Sequence, residues 1–220
     1  MKKIYLIRHA ESEGNVGFAW QGKNGGLTDR GRAQAQLAAR RLAGIPLASI
    51  ISSPMQRAKE TAEIISAHLD KGVEYSDLFV ERRRPTTQIG MSRNDPASLS
   101  VEQEINAHFG EPGWHYADEE NFEDMKTRGE AALAYLTARP ETEIAIITHG
   151  YFMRVILACA LAGAELTPEM CAHFITSFHT ENTGITQLVY DESQSMRPWW
   201  LWLWNDHSHL AIDEFDTSNG

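Results

Sequence analysis

Short apolar runs alternate with helix-forming segments along most of this chain, and this alternation limits the fold more than any other feature. We predict strands over residues 3–8, 49–52, 73–80, 143–148, 185–190 and 199–204. Helices are predicted over residues 28–42, 55–69, 99–109, 122–137 and 151–161. Strands that alternate with helices favour a mostly parallel sheet covered by helices on both faces. The last two strands are joined only by the polar turn 191–198, which indicates an antiparallel edge. The sequence therefore predicts an α/β fold, a three-layer α/β/α sandwich.

The length and the charge restrict the class of protein further. The chain has 220 residues and a formal net charge of −10, and this charge argues against binding to nucleic acid or to anionic membranes. No apolar stretch is long enough to span a bilayer, so we expect a cytoplasmic protein. Cys159 and Cys171 lack a metal-like spacing. They are expected to be two buried thiols, with one disulfide as the alternative.

The chain contains no repeat or linker that would divide it. We expect a single domain over residues 1–220. Residues 82–125 are less regular, with Pro85, Pro96, Pro112 and Gly113, and are predicted to form an inserted, lid-like segment that carries selectivity.

Polar side chains, among them two arginines and two histidines, follow three of the predicted strands. Arg8 and His9 end the first, Ser52-Ser53-Pro54 with Arg57 follow the second, and Thr148-His149-Gly150 end the fourth. The carboxyl ends of parallel strands meet at one edge of a sheet, where ligands bind. Pro54 would place Arg57 in the first turn of a helix, so that its guanidinium and the helix N–H groups act on one anion. The pattern predicts a phosphate pocket.

His9 is the predicted nucleophile of this pocket. The neighbouring arginines would keep its imidazole neutral by lowering its pKa. Attack on phosphorus would divide phosphate transfer into two displacements through a phosphohistidine. His149 would stabilise the transferring oxygens by charge or by hydrogen bonds. With arginines and histidines supplying that charge, no metal or other cofactor is expected.

Several ordered motifs resemble the histidine phosphatase superfamily, which includes phosphoglycerate mutases and many phosphomonoesterases. The matching stretches are Leu6 to Ser12 with Asn15, Leu27-Thr28 to Gly31, Ser52 to Ala58, Thr148-His149-Gly150 with Arg154, and Asn182 to Ile185. The resemblance implies a phosphoglycerate mutase-like fold, with His9 as the phosphorylated residue and Arg8, Arg57 and His149 around the phosphate. It further implies an acidic proton donor after the third strand. Glu81 occupies that place, with Asp77 and Glu74 close by.

Several positions have two interpretations. Arg82 could bind a second anionic group of the substrate, or belong with Arg83 and Arg84 to a solvated charge run. Asn15 could line the pocket or only hydrogen-bond its loop. The tryptophans of 199–204 are expected mainly in the core, although at a sheet edge they would support a homodimer.

These residues favour a metal-independent phosphomonoesterase that acts on a small phosphorylated substrate. Its substrate would contact Arg8, Asn15, Arg57, His149 and Arg82. A phosphoglycerate-type mutase and a phosphate-binding regulatory protein without turnover are the alternatives.

Overall fold

A computed structural model describes residues 1–214, with side chains described for residues 1–211. Its six-stranded sheet has the order β3-β2-β4-β1-β5-β6. The strands are β1 (Lys2–Arg8), β2 (Ser49–Ser52), β3 (Val73–Tyr75), β4 (Glu143–Thr148), β5 (Ile185–Tyr190) and β6 (Trp199–Asp206). The first four run parallel, whereas β5 pairs antiparallel with both β1 and β6. The predicted α/β class and the antiparallel edge are confirmed.

Helices cover both faces of the sheet, because the central strands are apolar on both sides. The helices are α1 (Glu13–Val16), α2 (Asp29–Leu42), α3 (Gln56–Leu69), α4 (Pro96–Ala107), α5 (Phe122–Ala138), α6 (Gly150–Ala162) and α7 (Pro168–Ser177). In β1, Ile4 and Leu6 pack in one core with α5 and α6. Tyr5 and Ile7 point to the other core, with α2 and α3. This two-faced packing fixes β1 and β4 at the centre, where their carboxyl ends meet.

Three local predictions were wrong. The third strand ends at Tyr75 rather than at residue 80, because Ser76 caps a 3₁₀ turn, Asp77–Phe79, with its side chain. Helix α7 was missed, although Thr167 as its N-cap and Pro168 in its first turn are the usual signals of a helix start. Pro54 lies before the N-cap Met55 of α3 and not inside the helix.

Two ion pairs hold the predicted lid-like segment together and attach it to α5. Arg82 pairs with Glu119 at 2.6 Å, and both side chains are buried. Arg128 of α5 pairs with Glu120 at 2.8 Å. Helix α4 begins at Pro96, three residues before the predicted start. The two ends of the segment are thus joined to each other and to α5.

The tryptophan-rich strand β6 forms one edge of the sheet. Trp199 is buried as expected, but Trp202 is 69% exposed, so the prediction of a core role is wrong for it. Cys159 and Cys171 are both buried free thiols. Among the described residues, no helix has the length and apolar character needed to cross a membrane.

Candidate active site

A cavity of about 320 Å³ opens at the carboxyl ends of β1 and β4. Six of the seven residues predicted for the site line it: Arg8, His9, Asn15, Arg57, Glu81 and Arg82. The seventh, His149, is fully buried and is not among the lining residues, and its ring centroid lies 5.1 Å from that of His9. The topology thus brings together side chains from β1, α3, β4 and the loop after β3.

The hydrogen bonds of His9 assign one tautomer of its imidazole. Arg57 Nε, which always carries a hydrogen, donates to His9 Nε2 at 3.2 Å. Nδ1 lies 2.7 Å from the carbonyl oxygen of Ala10. Nε2 therefore accepts, and Nδ1 carries the proton and donates to Ala10. The ring is held with the Nε2 lone pair toward the arginine.

The surroundings of His9 favour its neutral form. Burial lowers its pKa well below the usual value, and the charges of Arg57 and Arg8 lower it further. The side chain is only 4% exposed. Nε2 consequently stays unprotonated at neutral pH and accepts only the hydrogen bond from Arg57, and an unprotonated nitrogen is the requirement for a nucleophile.

The two arginines next to His9 differ in how many of their donors are used. Arg57 Nη1 donates to the carbonyl oxygen of Gly22 at 3.0 Å, and burial lowers the pKa of Arg57 to about 10. Arg8 Nη1 donates to the carbonyl oxygen of Thr180, but its buried Nε has no hydrogen-bond partner among the described residues. Gly150 is required here, since a Cβ would lie 3.2 Å from Arg8 Nε and 2.8 Å from Thr180 Oγ1.

The amides at the start of α3 are partly occupied, contrary to the expectation from Pro54. The Gln56 N–H donates to the Lys23 carbonyl at 2.9 Å, and the Ala58 N–H donates to the Met55 carbonyl at 2.9 Å. These contacts fix the glycine-rich loop on α3. Helix α3 therefore contributes to the cavity mainly through the charged Arg57 side chain and less through its backbone N–H groups.

His149 is fully buried and is the N-cap residue of α6. Its Nε2 lies 2.8 Å from Ser53 Oγ, which also accepts from the Met55 N–H at 3.2 Å. The Met55 N–H, the Ser53 hydroxyl and His149 Nε2 all have a partner if Ser53 donates to Nε2. The proton of His149 is then on Nδ1. That nitrogen has no partner among the described residues. Burial and the charge of Arg57 lower the pKa of His149 well below its usual value, so it offers a hydrogen bond rather than a charge.

Glu81 lines the cavity with a carboxylate that also caps α6. It accepts from the backbone N–H of Phe152 at 3.0 Å, of Tyr151 at 3.3 Å and of Arg82 at 3.0 Å. A carboxylate is favourable at a helix N-terminus. The alternative Glu74 contacts Tyr135 and Arg139 and is absent from the cavity lining, as is Asp77.

Asn15 both lines the cavity and stabilises its loop. Its Oδ1 accepts from the backbone N–H of Ser12 at 3.0 Å and lies 3.0 Å from the Ser12 hydroxyl. Gln21 of the same loop was missed by the sequence analysis. Its Oε1 lies 2.9 Å from Ser12 Oγ, whose single hydrogen donates either to it or to Asn15 Oδ1, and its buried Nε2 has no partner among the described residues. Because buried polar atoms normally have partners, Gln21 Nε2 and Arg8 Nε are donors suited to an anion.

The solvated charge run predicted as an alternative for residues 82–84 is wrong for Arg82, which is 6% exposed. Arg84 pairs with Glu102 at the cavity wall. Arg93, Arg154 and Trp20 also line the cavity, and the sequence analysis did not select them for it. No periodic signal marks these three positions.

Comparison with known proteins agrees with this geometry. The family model of the histidine phosphatase superfamily (branch 1) matches residues 4–207. A probable phosphoglycerate mutase GpmB of Photorhabdus laumondii is 29% identical, covering 97% of this chain and 99% of the relative. A putative phosphoserine phosphatase 2 of Hydrogenobacter thermophilus is 28% identical, covering 89% and 93%.

Solved structures show the same fold. A mutant phosphoserine phosphatase of Entamoeba histolytica in complex with phosphoserine superposes with a TM-score of 0.74, at 25% identity and with 96% of this chain and 100% of that chain covered. A putative α-ribazole-5′-P phosphatase of Escherichia coli gives 0.76 at 20% identity, covering 94% and 98%. With its fold, its cavity and a family match over nearly its whole length, the chain belongs to the histidine phosphatase superfamily, branch 1, and is an enzyme of that family.

Proposed function

We propose that this enzyme hydrolyses a small phosphorylated substrate through a phosphohistidine on His9, without a metal ion. One observation carries the proposal. His9 is a neutral, buried imidazole whose Nδ1–H is bound to the Ala10 carbonyl and whose Nε2 lone pair lies beside Arg57. Arg8, Arg57 and Gln21 are the proposed donors to the phosphate oxygens, and their charge and N–H groups would stabilise the transferring group.

The proposed reaction has two displacements at phosphorus. In the first, His9 Nε2 forms a bond to phosphorus while the bond to the leaving oxygen breaks, and Glu81 gives its proton to that oxygen. In the second, Glu81 takes a proton from water, the water oxygen attacks phosphorus, and the bond to Nε2 breaks. His149, through Nδ1–H, is the proposed additional donor to the phosphate oxygens. The three N–H groups that donate to the Glu81 carboxyl oxygens would stabilise the ionised form that Glu81 has in the second step.

Two features support a small substrate. The cavity of about 320 Å³ is at the low end of the range for small-molecule sites, about 300 to 1,000 Å³. Arg82 and Arg84, from the segment 82–125, form part of its wall, which agrees with a lid-like insertion within a single domain. The names of the similar proteins also refer to small phosphorylated compounds.

A mutase is the second candidate, because several relatives over 97% of the chain are named probable phosphoglycerate mutases. The two activities differ in the fate of the phosphoryl group, which passes to water or to another hydroxyl. Incubation with 3-phosphoglycerate separates them. We expect inorganic phosphate as the main product, and accumulation of 2-phosphoglycerate in its place would assign the mutase.

The nucleophile is tested with p-nitrophenyl phosphate and the His9→Ala variant. We expect the wild type to release p-nitrophenolate and the variant to lose activity by at least about 1,000-fold, because the covalent route is lost. Brief incubation with ³²P-labelled substrate should label only the wild type, with an acid-labile and base-stable bond. The matched control is His173→Ala, which changes an exposed histidine outside the cavity. Equal rates in wild type and His9→Ala would refute the proposal.

A further inference from the structure

The arginines of the cavity differ in how their donors are used. Six of them line it: Arg8, Arg57, Arg82, Arg84, Arg93 and Arg154. Arg82 and Arg84 are each paired with a glutamate, and Arg154 donates to the carbonyl oxygens of Gly150, Ile175 and Phe178. The Arg93 guanidinium, in contrast, forms no hydrogen bond or ion pair with the side chains and backbone described for this chain. Its five N–H donors are available to a ligand.

The backbone holds Arg93 at the mouth of the cavity. Its N–H donates to the Phe18 carbonyl at 2.8 Å, and Trp20 exchanges backbone hydrogen bonds with Gly90 and Met91 at 2.9 and 3.0 Å. An isolated bridge pairs Ala19 with Ser92. The glycine-rich loop and the segment 82–125 are thus joined across the mouth. Arg93 is placed by these contacts and not by a partner of its side chain.

Trp20 provides a platform for the Arg93 guanidinium. The indole Nε1–H donates to Ser98 Oγ at 2.7 Å, which fixes the ring. The Cζ atom of Arg93 lies 4.6 Å from the ring centroid. Stacking uses the face of a guanidinium and leaves its edge donors free for a planar anion. The side chain therefore loses less conformational freedom when it binds a carboxylate than an unsupported arginine would.

The charge balance of the cavity also favours a second anion. Glu81 is the one carboxylate among the lining residues, and the glutamates behind Arg82 and Arg84 each neutralise one arginine. Arg93 lies near enough to Arg8 and Arg57 for its charge to lower the pKa of both. Among the described residues Arg154 has only carbonyl partners and keeps its charge, so four guanidinium charges face the one carboxylate. A phosphate dianion at Arg8 and Arg57 leaves one net positive charge, and Arg93 is the exposed arginine whose donors remain free.

We infer that the substrate is a small phosphorylated carboxylic acid whose carboxylate is bound by Arg93 on Trp20 while its phosphate lies at Arg8, Arg57 and His9. The inference rests on the proposed function for the position of the phosphate. Arg93 is thereby a specificity-determining residue. The single charge of its guanidinium matches a carboxylate, and the small cavity keeps the two anionic groups within one short molecule.

The test uses two compounds that differ in one group. In 3-phosphoglycerate a carboxylate replaces the hydroxymethyl group of glycerol 1-phosphate. Affinity for both is measured by calorimetry in the His9→Ala background, so that binding is read without turnover. We expect 3-phosphoglycerate to bind at least about 10-fold tighter. Arg93→Gln should reduce this ratio by about 10- to 100-fold, the usual value of a hydrogen bond to a charged group. Arg93→Lys, which keeps the charge and loses the fork, should give an intermediate ratio.

Arg83→Gln is the matched control, since Arg83 is an exposed neighbour on the same segment and does not line the cavity. It should leave the ratio near that of the parent. Equal affinity for the two compounds, or an Arg93→Gln variant with the parent ratio, would overturn the inference. Failure of the proposed function is separate, because it appears as absent phosphate release by the enzyme that retains His9.

Discussion

The two buried histidines should make the stability of this protein fall steeply between pH 7.5 and pH 5.5. His9 and His149 are 4% and 0% exposed, and burial together with Arg57 lowers the pKa of each well below the ordinary value. In the unfolded chain the pKa of each imidazole is about 6.5. Below that pH the unfolded state binds more protons than the folded state, so the stability present at pH 7.5 is lost as the pH falls.

The size of this loss follows from linkage. A histidine that stays neutral in the folded protein and has an unfolded pKa of about 6.5 loses about 1.4 kcal/mol between pH 7.5 and 5.5. The pair therefore contributes at most about 2.7 kcal/mol, the limit in which both stay neutral down to pH 5.5, and this is a large part of the stability of an ordinary domain. His209, whose pKa is also lowered by burial, adds a loss of the same sign. Since His209 is present in every variant, differences between variants remove its contribution.

The assay is urea unfolding at pH 7.5, 6.5 and 5.5, at constant ionic strength and in buffers without phosphate. His149→Gln should lose about 1.4 kcal/mol less than the wild type over this range, whatever its stability at pH 7.5. His9→Gln should do the same, and His173→Gln, at an exposed position, serves as the control. A wild type and His149→Gln that lose the same free energy over the range would show that folded His149 takes up a proton, and the assignment of a neutral imidazole would be refuted.

Two further predictions concern Glu81 and the ion pair of the segment 82–125. Glu81→Gln should lower kcat for an alkyl phosphate by about 100-fold or more but reduce p-nitrophenyl phosphate hydrolysis much less, because p-nitrophenolate leaves without a proton. Equal losses with both substrates in steady-state assays would remove the proton-donor role. Arg82→Met should lower the free energy of unfolding in urea by about 3 to 5 kcal/mol, because the buried Glu119 carboxylate loses its partner, and adding Glu119→Leu should restore most of this loss. A double variant as unstable as the single one would contradict the pairing argument.

The architecture and the central chemistry could be predicted from local sequence. The strand ends at Arg8-His9 and Thr148-His149 were found because an apolar run followed by polar residues needs only neighbouring positions to be recognised. Parallel order then places such ends at one edge, since the carboxyl ends of parallel strands meet there. Helix α7 was missed although its signals were equally local. The short third strand was overestimated because Val73 to residue 80 is apolar enough for a strand, and only Ser76 indicates the turn.

The tertiary structure decided which charges of the site are free. From sequence, Arg82 and Arg93 are equivalent cations, yet Glu119, which is 37 positions away, neutralises Arg82, and no described group pairs with Arg93. Packing also buried His149 completely, with its ring centroid 5.1 Å from that of His9 and outside the residues that line the cavity. The local pattern determined which side chains reach the edge of the sheet. Their charge and accessibility depend on partners distant in the chain, because electrostatic pairing and desolvation act through space and not along the backbone.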